Sequence, residues 1–301
     1  MNPPPRIVIV GAAGRLGQAL VQRLSPHATV IGLARPAIDL SDPLSIVAAL
    51  EPLDFDHLIL PAAMTAVDPC EADQDKAYAI NATAPGIIAK ICVTKRARMT
   101  HVSTDFVFDG GKIGPYTEAD ATLPVSVYGE SKLMGEHLVM AASPLHLVVR
   151  VSWLYGPGKP AFPEWIVDKA FSESTLSLPA DKIGSPTSAT DAADLLVPLL
   201  ESSASGIYHL CNAGSCTWQQ WGQACLDIAR EAGLPLKCTT ISGNSLADIP
   251  AFLAKRPPNS AMSTEKYTTL TGITPRPWLE ALREHFATSS YMEKYLAAAC
   301  D

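Results

Sequence analysis

Short, continuously apolar runs alternate with longer stretches of mixed polarity through the first half of the chain. The runs are rich in valine, isoleucine and leucine, which is typical of strands buried on both faces of a parallel sheet. We predict strands at residues 6–10, 29–34, 57–60, 99–103, 147–151 and 206–210. With helices in the intervals and right-handed crossovers, this order predicts an α/β fold with a doubly wound parallel sheet, which binds ligands at the carboxyl ends of its strands.

The second half of the chain has a less regular pattern. Amphipathic spacing predicts helices at residues 162–172, 190–200, 217–232 and 277–287. No linker separates the two halves, so we predict a smaller lobe assembled from insertions between sheet elements. The predicted division is a dinucleotide-binding domain of residues 1–152, to which residues 188–234 return, and a substrate-binding lobe made mainly of residues 153–187 and 235–301.

Composition and charge exclude several classes of protein. The 301 residues carry a formal net charge of −7, and a nucleic-acid partner is not expected, because phosphate binding relies on clustered Lys and Arg. We find no signal peptide, and no apolar run approaches the roughly 20 residues that a membrane-spanning helix needs. The seven cysteines are an odd number without zinc-ligand spacing. We therefore expect a cytoplasmic protein with reduced thiols, no membrane partner and no metal.

A glycine-rich turn follows the first predicted strand. Gly11, Gly14 and Gly17 have the spacing that allows a tight turn and a close approach of the backbone to a diphosphate. The N–H groups of Arg15 and Leu16 would open the next helix and face the phosphates. Three glycines alone are a weak signal, but their place between a strand and a helix predicts a dinucleotide site of the Rossmann type.

The end of the second predicted strand bears on the choice of cofactor. Folds that prefer NAD usually place an acidic residue there to bind the ribose 2′-hydroxyl, whereas this strand ends next to Arg35. A guanidinium suits a 2′-phosphate, so we predict NADPH, with NADH as the alternative. The plain alternative for Arg35 is a solvated loop residue. Asp39 comes four residues later, too late to be assigned as the ribose acid from spacing.

A tyrosine and a lysine four residues apart provide the candidate chemistry. Tyr128 and Lys132 fall on one face of a helix predicted to run to about residue 142. A free phenol has a pKa near 10, and we expect the neighbouring ammonium to lower that pKa toward the operating range. Tyr128 would donate a proton to a carbonyl oxygen as hydride arrives, and Lys132 would also bind the nicotinamide ribose. Thr104, at the end of the fourth strand, would hydrogen-bond the same carbonyl.

These motifs resemble those of the dTDP-4-dehydrorhamnose reductase family, within the extended short-chain dehydrogenases, over nearly the whole chain. The segments that carry the resemblance are residues 11–17, 39–42, 62–68, 81–83, 103–110, 128–136, 150–155, 184–187 and 255–260. The resemblance implies reduction of the C4 ketone of a nucleotide-activated 6-deoxysugar, in that family dTDP-4-dehydro-L-rhamnose to dTDP-L-rhamnose, with NADPH or NADH. It also suggests a homodimer.

The resemblance implies three sets of site residues. The catalytic set would be Thr104, Tyr128 and Lys132. Further cofactor contacts, at the adenine and past the third strand, would be made by Asp39, Leu40, Ala62, Ala63 and Thr65. The residues around the sugar and at the nucleotide end of the substrate would be Val67, Phe106, Trp153, Lys255 and Arg256.

Plain alternatives stay open at several of these positions. Trp153 could equally be a core aromatic, and Lys255 with Arg256 a solvated turn. Pro61 and Phe106 stand where the family usually has asparagine and tyrosine, which leaves the exact sugar and nucleotide carrier open. Two other functions also remain open: a non-catalytic regulatory subunit like the β subunit of methionine adenosyltransferase, and a sugar-nucleotide epimerase or dehydratase.

Overall fold

The chain folds around one large parallel sheet, in a computed structural model that describes residues 3–249, 251–288 and 291. The strands are β1 (Arg6–Val10), β2 (Thr29–Leu33), β3 (His57–Leu60), β4 (Arg98–Thr104), β5 (Leu147–Val151), β6 (Leu154–Tyr155), β7 (Leu176–Pro179), β8 (Ile183–Gly184), β9 (Thr187–Ser188), β10 (Gly206–His209), β11 (Cys216–Thr217) and β12 (Ile241–Asn244). Six of them form the sheet, in the order β10-β5-β4-β3-β1-β2, and every neighbouring pair is parallel.

Helices cover both faces of this sheet. The helices are α1 (Arg15–Leu24), α2 (Pro43–Leu50), α3 (Val67–Ala72), α4 (Gln74–Tyr78), α5 (Ala84–Thr94), α6 (Val127–Ala142), α7 (Phe162–Ser172), α8 (Ala189–Glu201), α9 (Trp218–Glu231), α10 (Glu265–Thr271) and α11 (Trp278–Thr288). Apolar side chains of α1 and α8 pack on one face of the sheet, and those of α2, α5 and α6 pack on the other. The predicted doubly wound α/β fold is therefore confirmed.

The predicted strands and helices of the regular segments match the observed ones to within one residue at each end. The sheet strands are buried on both faces, apart from the edge strands β2 and β10, so their sequences are continuously apolar. Helix α7 begins and ends at the predicted residues, and α11 is displaced by one residue. Burial patterns of this kind are visible in sequence because they repeat along each element.

A second hydrophobic core lies outside the sheet. It joins α7, α9 and α11 to the small parallel pair of β7 and β12. The sequence assigned residues 188–234 to the sheet domain. In the structure, residues of that stretch up to Leu210 pack in the core under the sheet, whereas α9 packs in the second core.

One helical stretch has the length of a membrane span. Helices α4 and α5, with the π-helical turn Ala79–Thr83 between them, form the 21-residue segment Gln74–Thr94, which is long and apolar enough to cross a membrane by length and composition. Half of its most apolar window is buried inside the fold. Core helices of soluble proteins pass the same test, so this is a weak sign of a membrane span.

Candidate active site

A cleft of about 990 Å³ runs along the carboxyl edge of the sheet. The ends of β1 to β5 form its floor, as expected for a doubly wound sheet. The predicted site residues that line it are Gly11, Gly14, Arg15, Leu16, Gly17, Arg35, Asp39, Leu40, Ala62, Ala63, Thr65, Val67, Thr104, Phe106, Tyr128, Lys132 and Trp153. Lys255 and Arg256 are the predicted residues that it does not bring into the lining.

The glycine turn packs tightly against the end of the third strand. Gly11 has a φ of +105°, and a Cβ atom there would lie 2.8 Å from the Cβ of Ala62. Its N–H donates to the carbonyl of Leu33 at 2.7 Å, so the turn joins the ends of β1, β2 and β3. Helix α1 then begins after Gly14 without a side-chain cap, which leaves N–H groups of its first turn for an anion.

Arg15 has a role that the sequence did not predict for its side chain. The half-buried guanidinium donates to the carbonyl of Gly156, and to that of Lys159 at 2.6 Å. The loop after β6 is thereby tied to the start of α1. Lys159 itself lines the cleft.

Basic side chains mark the end of the cleft beyond β2. Arg35 is exposed there. Lys76 of α4 also lines the cleft, although no sequence motif predicted it. The Asp39 carboxylate accepts hydrogen bonds from the Ser41 N–H at 2.9 Å and the Ser41 hydroxyl at 2.7 Å, which lower the pKa of Asp39. One carboxylate oxygen of Asp39 is thus already engaged within its own loop.

Helix α6 places Tyr128 beside Thr104. The hydroxyl of Ser126 caps the helix by accepting the N–H of Gly129 at 3.3 Å. A Cβ atom on Gly129 would lie 2.2 Å from the carbonyl oxygen of Phe106, so only glycine lets the helix start this close to the turn after β4. Tyr128 is 8% exposed, its phenol interacts with the Thr104 hydroxyl, and the ring meets Phe106 edge-on at 5.4 Å.

The expected effect of Lys132 on the phenol is wrong. Burial raises the pKa of Tyr128 above its ordinary value, and the hydrogen bond with Thr104 opposes this shift without reversing it. The reason is the direction of the ammonium: Lys132 Nζ donates to the carbonyl of Val102 at 2.6 Å and lies 3.4 Å from His101 Nε2. Burial lowers the pKa of Lys132 itself to about 8.

Asn81 is a site residue whose role the sequence did not predict. Its fully buried amide accepts the N–H of Met64 at 2.8 Å and donates to the Met64 carbonyl at 3.0 Å. The same amide donates to the Ser131 hydroxyl on α6 at 3.1 Å. Asn81 lies on the π-helical turn, a local geometry that often occurs at functional sites. It holds the loop after β3 and the helix of Tyr128 in one arrangement.

Trp153 packs in the second core and also lines the cleft, while its predicted place beside a sugar ring stays a prediction. Its ring stacks on Trp221 of the second core at 5.3 Å, and a Cβ on Gly184 would lie 2.3 Å from one of its ring atoms. Its backbone has a φ of +42°, and the residue also lines the cleft. Trp221 itself is buried.

Lys255 and Arg256 differ in their surroundings: Arg256 is paired and partly buried, whereas Lys255 is exposed. The Arg256 guanidinium pairs with the Asp68 carboxylate at 2.9 and 3.1 Å and stacks over the Phe252 ring at 3.5 Å. Lys255 is exposed. Arg256 therefore joins the 250s segment to α3, next to Val67 of the cleft, instead of lining the cleft itself.

A dinucleotide cleft with a buried tyrosine and a threonine at the strand ends defines the class: an oxidoreductase of the extended short-chain type that uses a nicotinamide cofactor. The chain belongs to the RmlD substrate binding domain family, whose match spans residues 5–291.

Relatives of the chain agree with this assignment. It is 34% identical over 270 residues to a dTDP-4-dehydrorhamnose reductase of Salmonella typhimurium. The aligned residues cover 87% of this chain and 90% of that protein. It is 33% identical over 297 residues to the spore coat polysaccharide biosynthesis protein SpsK of Bacillus subtilis, covering 98% and 99%. The structure of dTDP-4-dehydrorhamnose reductase from Bacillus anthracis in complex with NADP superposes with a TM-score of 0.88 at 28% identity, covering 95% and 100%.

Proposed function

We propose that the chain reduces the C4 ketone of a nucleotide-activated 6-deoxysugar with NADPH, in the simplest case dTDP-4-dehydro-L-rhamnose to dTDP-L-rhamnose. The observation that carries this proposal is a buried phenol next to a threonine hydroxyl, in the same cleft as the glycine turn. Relatives that cover most of the chain are named for this reaction.

The lining of the cleft fits a nicotinamide dinucleotide. Gly11 and the uncapped start of α1 would hold the diphosphate, and Arg35 would meet the 2′-phosphate that distinguishes NADPH. Lys132, at the other end, would bind the nicotinamide ribose. The cofactor supplies the hydride when it is bound.

Tyr128 would supply the proton. Because burial raises the pKa of the phenol, the group stays protonated near neutral pH, which is the form that a proton donor needs. Thr104 would orient the ketone, but its single hydroxyl hydrogen is donated to Asp105 at 3.0 Å. While that bond holds, Thr104 can orient the ketone only through the Tyr128 phenol beside it. Val67, Phe106 and Trp153 would flank the sugar ring.

The test is NADPH oxidation by the purified protein with dTDP-4-dehydro-L-rhamnose, made in place from dTDP-glucose by the two preceding enzymes. We expect one NADPH to be consumed for each sugar reduced. No oxidation above background would instead support a non-catalytic regulatory subunit. Conversion of the sugar without net consumption of NADPH, by protein purified with NAD bound, would support an epimerase or dehydratase.

A further inference from the structure

Asp105 is a buried carboxylate that accepts hydrogen bonds from two hydroxyl groups. It is 2% exposed and follows Thr104 directly at the end of β4. One carboxylate oxygen accepts the Thr104 hydroxyl at 3.0 Å, and the other accepts the Ser152 hydroxyl at 3.0 Å. The Ser260 hydroxyl, which donates to the Ile183 carbonyl at 3.4 Å, also interacts with the carboxylate and favours its ionised form. A carboxylate satisfied in this way has a fixed position, because one bond comes from its own strand end and the other from the residue after β5.

Lys182 lies behind this carboxylate, in residues 153–187 of the predicted smaller lobe, which we call the second lobe. Its ammonium is fully buried and donates to the carbonyl of Pro257 at 2.6 Å and to the Ser260 hydroxyl at 2.9 Å. Burial raises the pKa of Asp105, and the positive charge of Lys182 opposes this shift and favours the ionised carboxylate. Burying an ammonium is costly, so such a residue is expected to have a specific partner.

The two residues form one chain of contacts that reaches the phenol. It runs from Lys182 through Ser260 to Asp105, and from Asp105 through Thr104 to Tyr128. Every member is at least nine-tenths buried. The chain begins in the second lobe and ends at the proton donor, although the catalytic set predicted from the sequence contains only its last two members and Lys132.

We propose that Asp105, held by Ser260 and Lys182, is a positioning residue that controls the Tyr128 phenol through the Thr104 hydroxyl. This inference rests on the proposed function, because Tyr128 is the proton donor in it. While Thr104 donates its hydrogen to Asp105, the Thr104 oxygen can only accept from the phenol. The phenol therefore keeps its proton and is aimed by Thr104 until an oxyanion in the cleft takes that proton.

The same contact assists the step after proton transfer. Once the proton has moved from the Tyr128 oxygen to the oxygen of the sugar, the phenolate needs a donor. Thr104 can then turn its hydrogen from Asp105 to the phenolate, and a hydrogen bond of that kind favours the phenolate. Asp105 thus accepts the hydrogen of Thr104 before the proton leaves Tyr128, and Thr104 donates that hydrogen to the phenolate afterwards.

Other charged or titratable groups around the phenol do not replace Asp105. Cys70 faces Tyr128 from α3, and burial raises the pKa of this thiol to about 11, so it is neutral at working pH. Glu71 accepts the N–H of Val127 at 2.9 Å, at the solvent side of the helix start. Lys132 is directed at the carbonyl of Val102. Asp105 is the neighbour whose charge most raises the pKa of Tyr128.

The first experiment measures Tyr128 directly and does not require turnover. The phenol carbon is labelled with carbon-13 and its resonance is assigned by its absence in Tyr128→Phe. In Asp105→Asn we expect the onset of ionisation to move to lower pH by about 1 pH unit, because a negative charge is lost and a neutral amide holds the Thr104 hydrogen less strongly than a carboxylate does. An onset at the wild-type pH in this variant overturns the inference, whatever the wild-type activity.

The second experiment is a double-mutant cycle on kcat. Asp105→Asn is expected to lower kcat about ten- to a hundredfold, with the KM for NADPH unchanged. Lys182→Met should also lower kcat, and adding it to Asp105→Asn should cost nothing further, because Lys182 acts through Asp105. Lys182→Gln keeps a donor toward Ser260 and should retain more of the rate than Lys182→Met. Fully additive losses in the double variant would overturn the inference.

The matched control is Asp109→Asn. Asp109 lies in the same sequence segment and accepts the Tyr116 hydroxyl at 2.6 Å, but it does not line the cleft. Its variant should keep the wild-type kcat and the wild-type Tyr128 resonance. If Asp105→Asn fails to fold, Ser260→Ala removes the hydroxyl that lies between Lys182 and the same carboxylate, and its loss of kcat must likewise disappear in a Lys182→Met background. A wild type without turnover would defeat the proposed function alone, since the resonance test still decides this inference.

Discussion

The Tyr128 hydroxyl lies in a buried corner of the cleft, beside the Thr104 hydroxyl. Its neighbours include the Phe106 ring and the Cys70 thiol. Because burial disfavours the phenolate, Tyr128 stays protonated near neutral pH and has one proton to donate. A second ionisable group, Lys132, lies one helical turn further on and titrates much closer to neutrality.

Replacing Tyr128 by phenylalanine tests the proton donor while keeping the ring. Tyr128→Phe should lower kcat roughly 10²–10⁴-fold, the usual worth of a placed general acid, and leave the affinity for NADPH nearly unchanged. Steady-state NADPH oxidation would measure kcat, and a fluorescence titration would measure the affinity for NADPH. Tyr78→Phe is the control, because Tyr78 packs in the same cluster but donates its hydroxyl to Glu130 at 3.1 Å. Wild-type rates in Tyr128→Phe would assign the acid elsewhere.

Lys132 should set the alkaline limit of cofactor binding. Burial lowers its pKa to about 8, so the ammonium is present below that pH and is lost as the pH rises through it. Once Lys132 has lost its proton, it binds the nicotinamide ribose less well. The dissociation constant of NADPH should therefore increase as the pH passes about 8. In Lys132→Met this pH dependence should vanish and binding should be weak throughout. A dissociation constant that is flat across this pH in the wild type would contradict the role.

At the scale of elements, the close contact between α6 and the turn after β4 is the feature on which the site depends. Alanine is a better helix former than glycine by about 1 kcal/mol, so Gly129→Ala would stabilise an isolated helix. Here the added methyl group would collide with the Phe106 carbonyl, since its position lies 2.2 Å from that oxygen. We expect a net loss of about 1–3 kcal/mol of folding free energy, the usual cost of overpacking, and a lower kcat.

Thermal unfolding and NADPH oxidation would measure the two effects of Gly129→Ala. Gly111→Ala is a suitable control, because the nearest atoms to its added methyl are those of the flexible Asp109 carboxylate at 3.3 Å. A Gly129→Ala protein as stable and as active as the wild type would show that the helix start has room to move.

The same elements show what a sequence can and cannot predict. The sheet strands and α7 were predictable because burial on two faces or on one stripe repeats along the chain. Strands β6, β8, β9 and β11 contain two residues each, too few for any alternation to show. The glycine turn, Thr104 and Tyr128 were predictable from their order along the chain.

Other site residues leave no pattern in sequence. Lys182 stands in a stretch rich in glycine and proline, and only the fold reveals that it is buried behind Asp105. The direction of the Lys132 ammonium was also hidden, because spacing along a helix places two side chains on one face without fixing which partner each one reaches.

At the scale of the whole molecule, Arg256 and the Ala254 N–H join the 250s segment to Asp68 of α3. The Arg256 side chain is 10% exposed, and its partner Asp68 directly follows Val67 of the cleft. Arg256→Ala should raise the KM for the sugar nucleotide about tenfold, equivalent to roughly 1.4 kcal/mol, and leave the KM for NADPH unchanged. Lys255→Ala is the matched control with little expected effect, because Lys255 is exposed. Equal losses in the two variants would instead favour direct contact of both residues with the nucleotide.

The tie between Arg15 and the loop after β6 has a consequence for the order in which the two ligands arrive. Its guanidinium holds the carbonyls of Gly156 and Lys159, while its backbone opens the helix that would meet the diphosphate. A dinucleotide seated on that helix start would therefore fix the loop on which the second lobe begins. We expect an ordered mechanism in which NADPH binds before the sugar. Product inhibition by NADP⁺ should then be competitive with NADPH but not with the sugar. In Arg15→Ala the two ligands should bind in random order.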